Sequence, residues 1–273
     1  MRSRGTALNV TEESTRMRHI LVVGIGTGNP EHMTVQAINA LNRADVLFVP
    51  TKGAKKADLA EVRREIIARF VTNPESRTVE FALPVRRVEG QSYGQGVDEW
   101  HAAIAETYVR LLTHELPEGG TCALLVWGDP MLYDSTLRII ERVKATGAVE
   151  VDVTVIPGIT SIQALCAAHK IPLNLVGKPV EITTGRRLLD SFPERSESAV
   201  VMLDGEQAFQ HVTDPEAEIY WGAYLGTSDE VTIRGKAVEV SAKILETRAA
   251  ERARHGWIMD IYLLQKGADF DDA

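Results

Sequence analysis

From Ile20 to His169, short apolar, β-branched runs alternate with segments whose apolar positions recur every three or four residues. That pattern builds a parallel sheet flanked by helices. The runs predict strands over 20–23, 46–49, 78–83, 122–127 and 151–156, and the periodicity between them predicts helices over 35–42, 59–70, 97–114, 135–144 and 161–168. The strand-to-helix joints are rich in glycine and proline: Gly24-Ile25-Gly26-Thr27-Gly28-Asn29-Pro30, Pro84 to Gly96, Gly128-Asp129-Pro130, and Pro157-Gly158-Ile159-Thr160. In an open parallel sheet such joints share the carboxyl edge of the strands, where ligands bind.

The pattern changes after Ile171. Pro172 to Pro179 encloses Gly177 between two prolines, a composition suited to a hinge. Beyond it the apolar runs predict strands over 180–183, 199–203, 218–224, 231–233 and 258–264, with helices only near 207–212 and 236–253, which suits a mixed sheet. The expected organisation is a flexible lead-in over 1–17, an N-terminal α/β domain over 18–173 with a parallel sheet, and a C-terminal α/β domain over 174–273. Met17 is an alternative start.

Composition narrows the partners. The 30 Lys and Arg against 38 Asp and Glu leave a net charge of −8, so nucleic acid is not expected as a partner. The longest apolar runs, 122–127 and 199–203, fall far short of the ~20 residues a spanning helix needs, so no membrane segment is expected. Residues 1–18 lack the apolar block of a secretion signal. Cys122 and Cys166 lie in apolar segments without Cys-x-x-Cys spacing, which favours free thiols in a cytoplasmic setting and no metal site.

The first loop tests two common nucleotide motifs and fits neither. A dinucleotide fingerprint needs a third glycine where Asn29 stands, and Pro30 interrupts the helix that should follow. A Walker loop needs Gly-Lys-Ser or Gly-Lys-Thr, which the chain does not contain.

Leu21 to Pro30 with Met33-Thr34, Ala44-Asp45-Val46, Gly128-Asp129-Pro130 with Tyr133, Pro157 to Ser161, and Gly226-Thr227 with Glu230 together resemble, in the expected order, the tetrapyrrole methylases. Within that family the stretches 127–136, 183–187, 221–226 and 255–260 are most similar to a deacetylating branch. The resemblance implies two α/β domains with S-adenosylmethionine folded in the cleft between them, a homodimer, and S-adenosylhomocysteine as a product. It implies methylation of a corrin macrocycle at C1 in aerobic cobalamin biosynthesis, with precorrin-5 as substrate, acetate released and precorrin-6A formed. By the same match Trp127, Gly128, Asp129, Leu132, Thr160, Ser161, Leu203, Tyr224 and Gly226 border the donor. Thr27, where the family usually has proline, lies in the loop that meets substrate.

Methyl transfer from a sulfonium is an in-line displacement, so the protein has mainly to position donor and acceptor and exclude water. Losing acetate asks for more, because water must attack the acetyl carbonyl and a base must take its proton. Tyr133 and Asp134 are the candidates, and Asp134→Asn is expected to slow acetate release more than donor binding. Each polar candidate has a plainer use: Asp129 can close an Asx turn, Thr160, Ser161 or Asp134 can cap a helix, and His101 can be solvated surface. A substrate bearing many carboxylates calls for cations at the binding edge, for which Arg86, Arg87, Arg186 and Arg187 are preferred, with Lys52, Lys55 and Lys56 weaker candidates. A methylase of another ring carbon, a diphthine synthase, or a non-catalytic tetrapyrrole carrier would share parts of this pattern.

Overall fold

The computed structural model describes residues 17–51, 57–86, 93–190 and 196–266. Of the expected lead-in only Met17 is among them, its carbonyl accepting the Gly120 N–H at 3.1 Å. Arg87, Lys52, Lys55 and Lys56 also lie outside the described residues. The chain divides into two compact units, one of Met1–Ile25 and Met33–Gly158, the other of Gly26–His32 and Ile159–Ala273.

The first unit runs β1 (Arg18–Gly24), α1 (Val35–Leu41), β2 (Val46–Thr51), α2 (Ala57–Phe70), β3 (Arg77–Ala82), α3 (Tyr93–Glu115), β4 (Gly120–Val126), α4 (Thr136–Ala145) and β5 (Val151–Ile156). All pairings are parallel, in the order β3-β2-β4-β1-β5. Strands buried on both faces read as unbroken apolar runs. Alternate residues accordingly feed two cores. Ile20, Val22, Phe48, Cys122 and Leu124 pack against α3 and α4, while Leu21, Val23, Leu47, Ala123 and Leu125 pack against α1 and α2. Helix α4 shows why the register holds: Ile139, Ile140 and Val143 are buried while Arg142 and Lys144 face outward. Thr34 caps α1, its Oγ1 accepting the Ala37 N–H at 3.0 Å.

Helix α3 starts earlier than its apolar period predicts, because Gly94 and Gly96 in its first turn read as loop. The Trp100 indole N–H donates to the Pro84 carbonyl at 2.8 Å and ties this start to the preceding segment.

The second unit contains α5 (Ser161–His169), β6 (Val180–Thr184), α6 (Gly185–Asp190), β7 (Ser198–Met202), β8 (Glu218–Ala223), β9 (Val231–Lys236), α7 (Ala237–His255) and β10 (Asp260–Gln265), with 3-10 turns at Pro30–His32 and Ala208–His211. Its sheet order is β6-β7-β10-β8-β9, with β6 and β7 parallel and the other pairs antiparallel. The mixed sheet agrees with the sequence reading. The division falls after Gly158, whereas the proline-rich stretch suggested a boundary at 173/174. Helix α5 explains the difference, since it packs on β8, β9 and β10 and its His169 Nε2 lies 3.0 Å from the Trp221 carbonyl. The short helix α6 is absent from the sequence reading. The Asp204 carboxylate occupies the space beside Gly185, with Oδ1 only 2.1 Å from where a Cβ would lie.

A buried ion pair anchors the second core. Arg248 Nε donates to Asp260 Oδ2 at 2.9 Å, and the Trp221 indole N–H donates to the same oxygen at 3.0 Å. Arg248 also donates to the Asp204 carbonyl at 3.2 Å, and Tyr262 donates its hydroxyl to Asp204 Oδ2 at 2.7 Å. Among the described residues no helix is long and apolar enough to cross a membrane.

His101 is buried rather than solvated, its ring 5.7 Å from that of Trp100, and its Nε2 has no hydrogen-bond partner among the described residues. Burial first, then the positive field of Arg142 and Arg138, hold its imidazole below the ordinary histidine range. Burial also lowers His169. A histidine with a depressed folded-state pKa binds its proton more readily when unfolded. Its contribution to stability is therefore present above the unfolded value, about 6.5, and is lost as pH falls below it. Urea unfolding between pH 7.5 and 5 is expected to show a falling midpoint, and His101→Gln to flatten that fall; an unchanged slope would remove His101 from the account.

Candidate functional site

In the first unit β1 leads towards β2 on one side, while the connection from β4 crosses β1 to reach β5 on the other. Chain direction thus switches where β4, β1 and β5 lie side by side, the place at which such sheets bind ligands. There the backbone is bare. A Cβ on Gly158 would lie 2.2 Å from the Gly128 carbonyl oxygen and 2.8 Å from Gly24 C, and one on Gly24 would lie 2.6 Å from Gly158 N. Only glycine permits three chain segments to meet this closely.

Asp129 fastens the seam. Its Oδ1 accepts the Met131 N–H at 2.7 Å, closing an Asx turn, and its Oδ2 accepts the Gly158 N–H at 2.8 Å. With both carboxylate oxygens used inside the protein, a ligand would meet this loop through its main chain. Gly128 takes a left-handed φ of 69°.

Backbone strain marks further positions. L-residues with side chains rarely take left-handed φ, and where packing enforces it the strain clusters at functional sites. Among the described residues five non-glycines do so, and three were expected at the site: Tyr133 at 50°, Leu203 at 54° and Tyr224 at 50°. Leu203 is 68% exposed and Met131, beside Leu132 and Tyr133, is 74% exposed, which is unusual for large apolar side chains on ordered loops. These observations support ligand-contact roles for Leu203 and for the segment 131–133.

Tyr224 has a different role. Its ring is buried, packs edge-on against Trp257 at 5.0 Å, and its hydroxyl donates to the Trp257 carbonyl at 2.6 Å. Its main-chain N–H donates to the Met259 carbonyl, and its own carbonyl accepts from Thr227. Burial pushes its hydroxyl up to about 12. The Tyr224 side chain therefore shapes the turn to Gly226.

Asp134 stands at the turn into α4. Its Oδ1 accepts the Thr136 N–H at 2.7 Å at the start of α4. That bond holds the turn into α4 with one carboxylate oxygen and is compatible with a second use of the other. Thr160 likewise donates its N–H and hydroxyl to Gln163 Oε1, both at 2.7 Å, fixing the entry to α5 beside half-buried Ser161. Trp127 is half-buried at the end of β4. Arg186 and Arg187 are exposed on α6, and Arg86 is half-buried after β3. Thr27 is only 3% exposed, so its side chain serves the loop itself.

Arg63 is the cation that sequence reasoning missed. It donates Nε–H to the Leu125 carbonyl at 3.0 Å. Burial lowers its pKa to about 10, against the opposing pull of Tyr108 and Asp134. Its spacing from Ala60 and Ile66 puts it on the inward face of α2, a signal available in the sequence.

Residues 19–241 match the model of the Tetrapyrrole (Corrin/Porphyrin) Methylases. The chain belongs to this family. It is 74% identical to a precorrin-6A synthase [deacetylating] of a Sinorhizobium species, over 94% of this chain and 98% of that one. The crystal structure of a cobalamin-synthesis-related protein from Corynebacterium diphtheriae matches with a TM-score of 0.80 and 39% identity, covering 92% of this chain and all, 100%, of the other. A uroporphyrin-III C-methyltransferase from Thermus thermophilus, solved with S-adenyl homocysteine, matches with a TM-score of 0.56 at 19% identity, covering 90% and 97% of the two chains, and shares the tetrapyrrole methylase fold.

Proposed function

We propose that this chain is a C-methyltransferase that uses S-adenosylmethionine to methylate C1 of precorrin-5, releasing acetate and forming precorrin-6A. The observation that carries the reading is the 74% identity to a deacetylating precorrin-6A synthase across 98% of that relative. The glycine seam fits a donor held by main-chain groups, since Gly24, Gly128 and Gly158 bring the peptide groups of three segments into direct contact.

S-adenosylmethionine would supply a methyl on a positively charged sulfur. The main-chain atoms of Gly128 and Asp129, with Leu132, Thr160, Ser161, Leu203 and Gly226, would orient it, and Trp127 and Tyr133 would exclude water. Arg86, Arg87, Arg186 and Arg187 would meet the carboxylates of the macrocycle, where a planar guanidinium can hold an oxygen pair. The reading includes a cytoplasmic homodimer that needs no metal.

Incubation with precorrin-5 and methyl-labelled donor, followed by mass spectrometry, tests it. One methyl gained per acetate released is expected. Methyl gain without acetate would reject the deacetylating assignment in favour of another ring carbon, and donor binding without either product would indicate a carrier.

A further inference from the structure

We propose that His32 is the base for acetate release, held by Thr27 in the tautomer that leaves its Nε2 lone pair free; the inference rests on the deacetylating reading above. The loop after β1 is built around this imidazole. Thr27 Oγ1 and His32 Nδ1 lie 3.0 Å apart. A Cβ on Gly26 would lie 2.6 Å from His32 Cβ, and one on Gly226 would lie 3.0 Å from His32 Cε1 and 2.4 Å from Thr27 Oγ1. Two glycines with left-handed φ, 75° at Gly26 and 82° at Gly226, thus clear the space in which the pair sits.

The surrounding turns are fixed as well. The His32 N–H donates to the Asn29 carbonyl at 2.9 Å, the Glu31 N–H donates to Asn29 Oδ1 at 2.9 Å, and the Gly226 N–H donates to Glu230 Oε2 at 2.8 Å. His32 Nε2 makes no hydrogen bond among the described residues, and it is not among the buried atoms left without a partner.

Other polar groups are engaged to different degrees. Asp129 uses both oxygens, Asp134 gives Oδ1 to the Thr136 N–H, Tyr224 gives its hydroxyl to Trp257, and the His101 Nε2 is sealed from solvent. His32 combines an oriented ring, an unoccupied nitrogen and a place on the glycine-rich segment that follows β1 in the chain. A histidine base is oriented by the partner of its other nitrogen, and Thr27 is that partner here.

In the step assigned to His32, one proton of a water passes to Nε2 and the water oxygen bonds to the acetyl carbonyl carbon. The bond from that carbon to the macrocycle breaks, its electron pair stays on the conjugated ring, and acetate leaves after losing its remaining acidic proton. The retained pair balances the pair the ring gives in accepting the methyl group.

The test uses the full chain with S-adenosylmethionine and precorrin-5, reading acetate and methyl gain separately. Loss of a general base is expected to slow acetate release in His32→Ala by roughly 10²- to 10³-fold. The Kd for S-adenosylhomocysteine by calorimetry is expected to stay within about twofold, since the reading gives His32 no part in donor binding. Added imidazole is expected to restore part of the rate. Thr27→Val keeps the shape and removes the hydroxyl; it is expected to slow acetate release while Thr27→Ser does not. Long-range ¹H–¹⁵N spectra of the resting protein are expected to show the His32 proton on Nδ1, and in Thr27→Val on both nitrogens. Parental acetate release by His32→Ala, absence of imidazole rescue, or a resting proton on Nε2 would each overturn the proposal. A parent protein that yields neither acetate nor methyl gain defeats the reaction assignment instead, and the spectra still decide whether Thr27 orients His32.

Discussion

Gly158→Ala is expected to lower the free energy of unfolding by about 3 kcal/mol, the upper end of what an overpacked methyl costs, because nothing near it can yield cheaply. The added Cβ would fall 2.2 Å from the Gly128 carbonyl oxygen and 2.8 Å from the Gly24 carbonyl carbon, both main-chain atoms at the ends of neighbouring strands. Relief requires moving β4 or β1, and with it the Asp129 bond to the Gly158 N–H. Donor binding is expected to fall along with stability. Gly94→Ala is the matched control: it lies in the first turn of α3 with nothing within 4 Å of a new Cβ. There the smaller entropy of the unfolded chain should give a gain of about 0.5–1 kcal/mol. Urea unfolding of both variants measures the contrast, and a cost below about 1 kcal/mol at Gly158 would mean that the loops give way more easily than main-chain packing allows.

Arg248→Met is expected to cost about 3–5 kcal/mol, the usual penalty for removing one partner of a buried ion pair. The side chains of Arg248 and Asp260 are only 8% and 9% exposed. The variant strands the Asp260 carboxylate with the Trp221 indole N–H as its remaining side-chain donor among the described residues and removes a donor from the Asp204 carbonyl. Arg248→Met combined with Asp260→Asn should be more stable than Arg248→Met alone, since the neutral amide has no charge to desolvate and can still accept from Trp221. Thermal and urea unfolding of the two singles and the double form a complete cycle. Additive losses would mean the ion pair carries no coupling of its own.

Most of the architecture could be read from the chain. Unbroken apolar runs such as Leu21 to Val23 and Cys122 to Leu125 mark strands covered on both faces, and the two cores confirm that arrangement. What escaped depends on contacts between distant residues. Helix α6 went unread because the Asp204 carboxylate beside Gly185 is invisible locally, and α5 looked like part of the first domain because only its packing on β8 to β10 assigns it elsewhere. The glycine- and proline-bounded loops were located by composition alone. The roles of individual side chains were less legible, since Asp129, Asp134 and Tyr224 could each serve a ligand or the fold, and only their hydrogen-bond partners reveal what each does for the fold. His32 drew no notice in the sequence, because the hydroxyl of Thr27 and the space at Gly226 become its neighbours only when the turns have formed.

The seam at Gly24, Gly128 and Gly158 also bears on how such proteins diverge. A surface composed of peptide groups holds no side chain for mutation to rewrite, so its shape can be inherited while nearly everything around it is replaced. Innovation in such a lineage would then be concentrated in the side chains around the seam, and three adjoining glycines would change together or not at all.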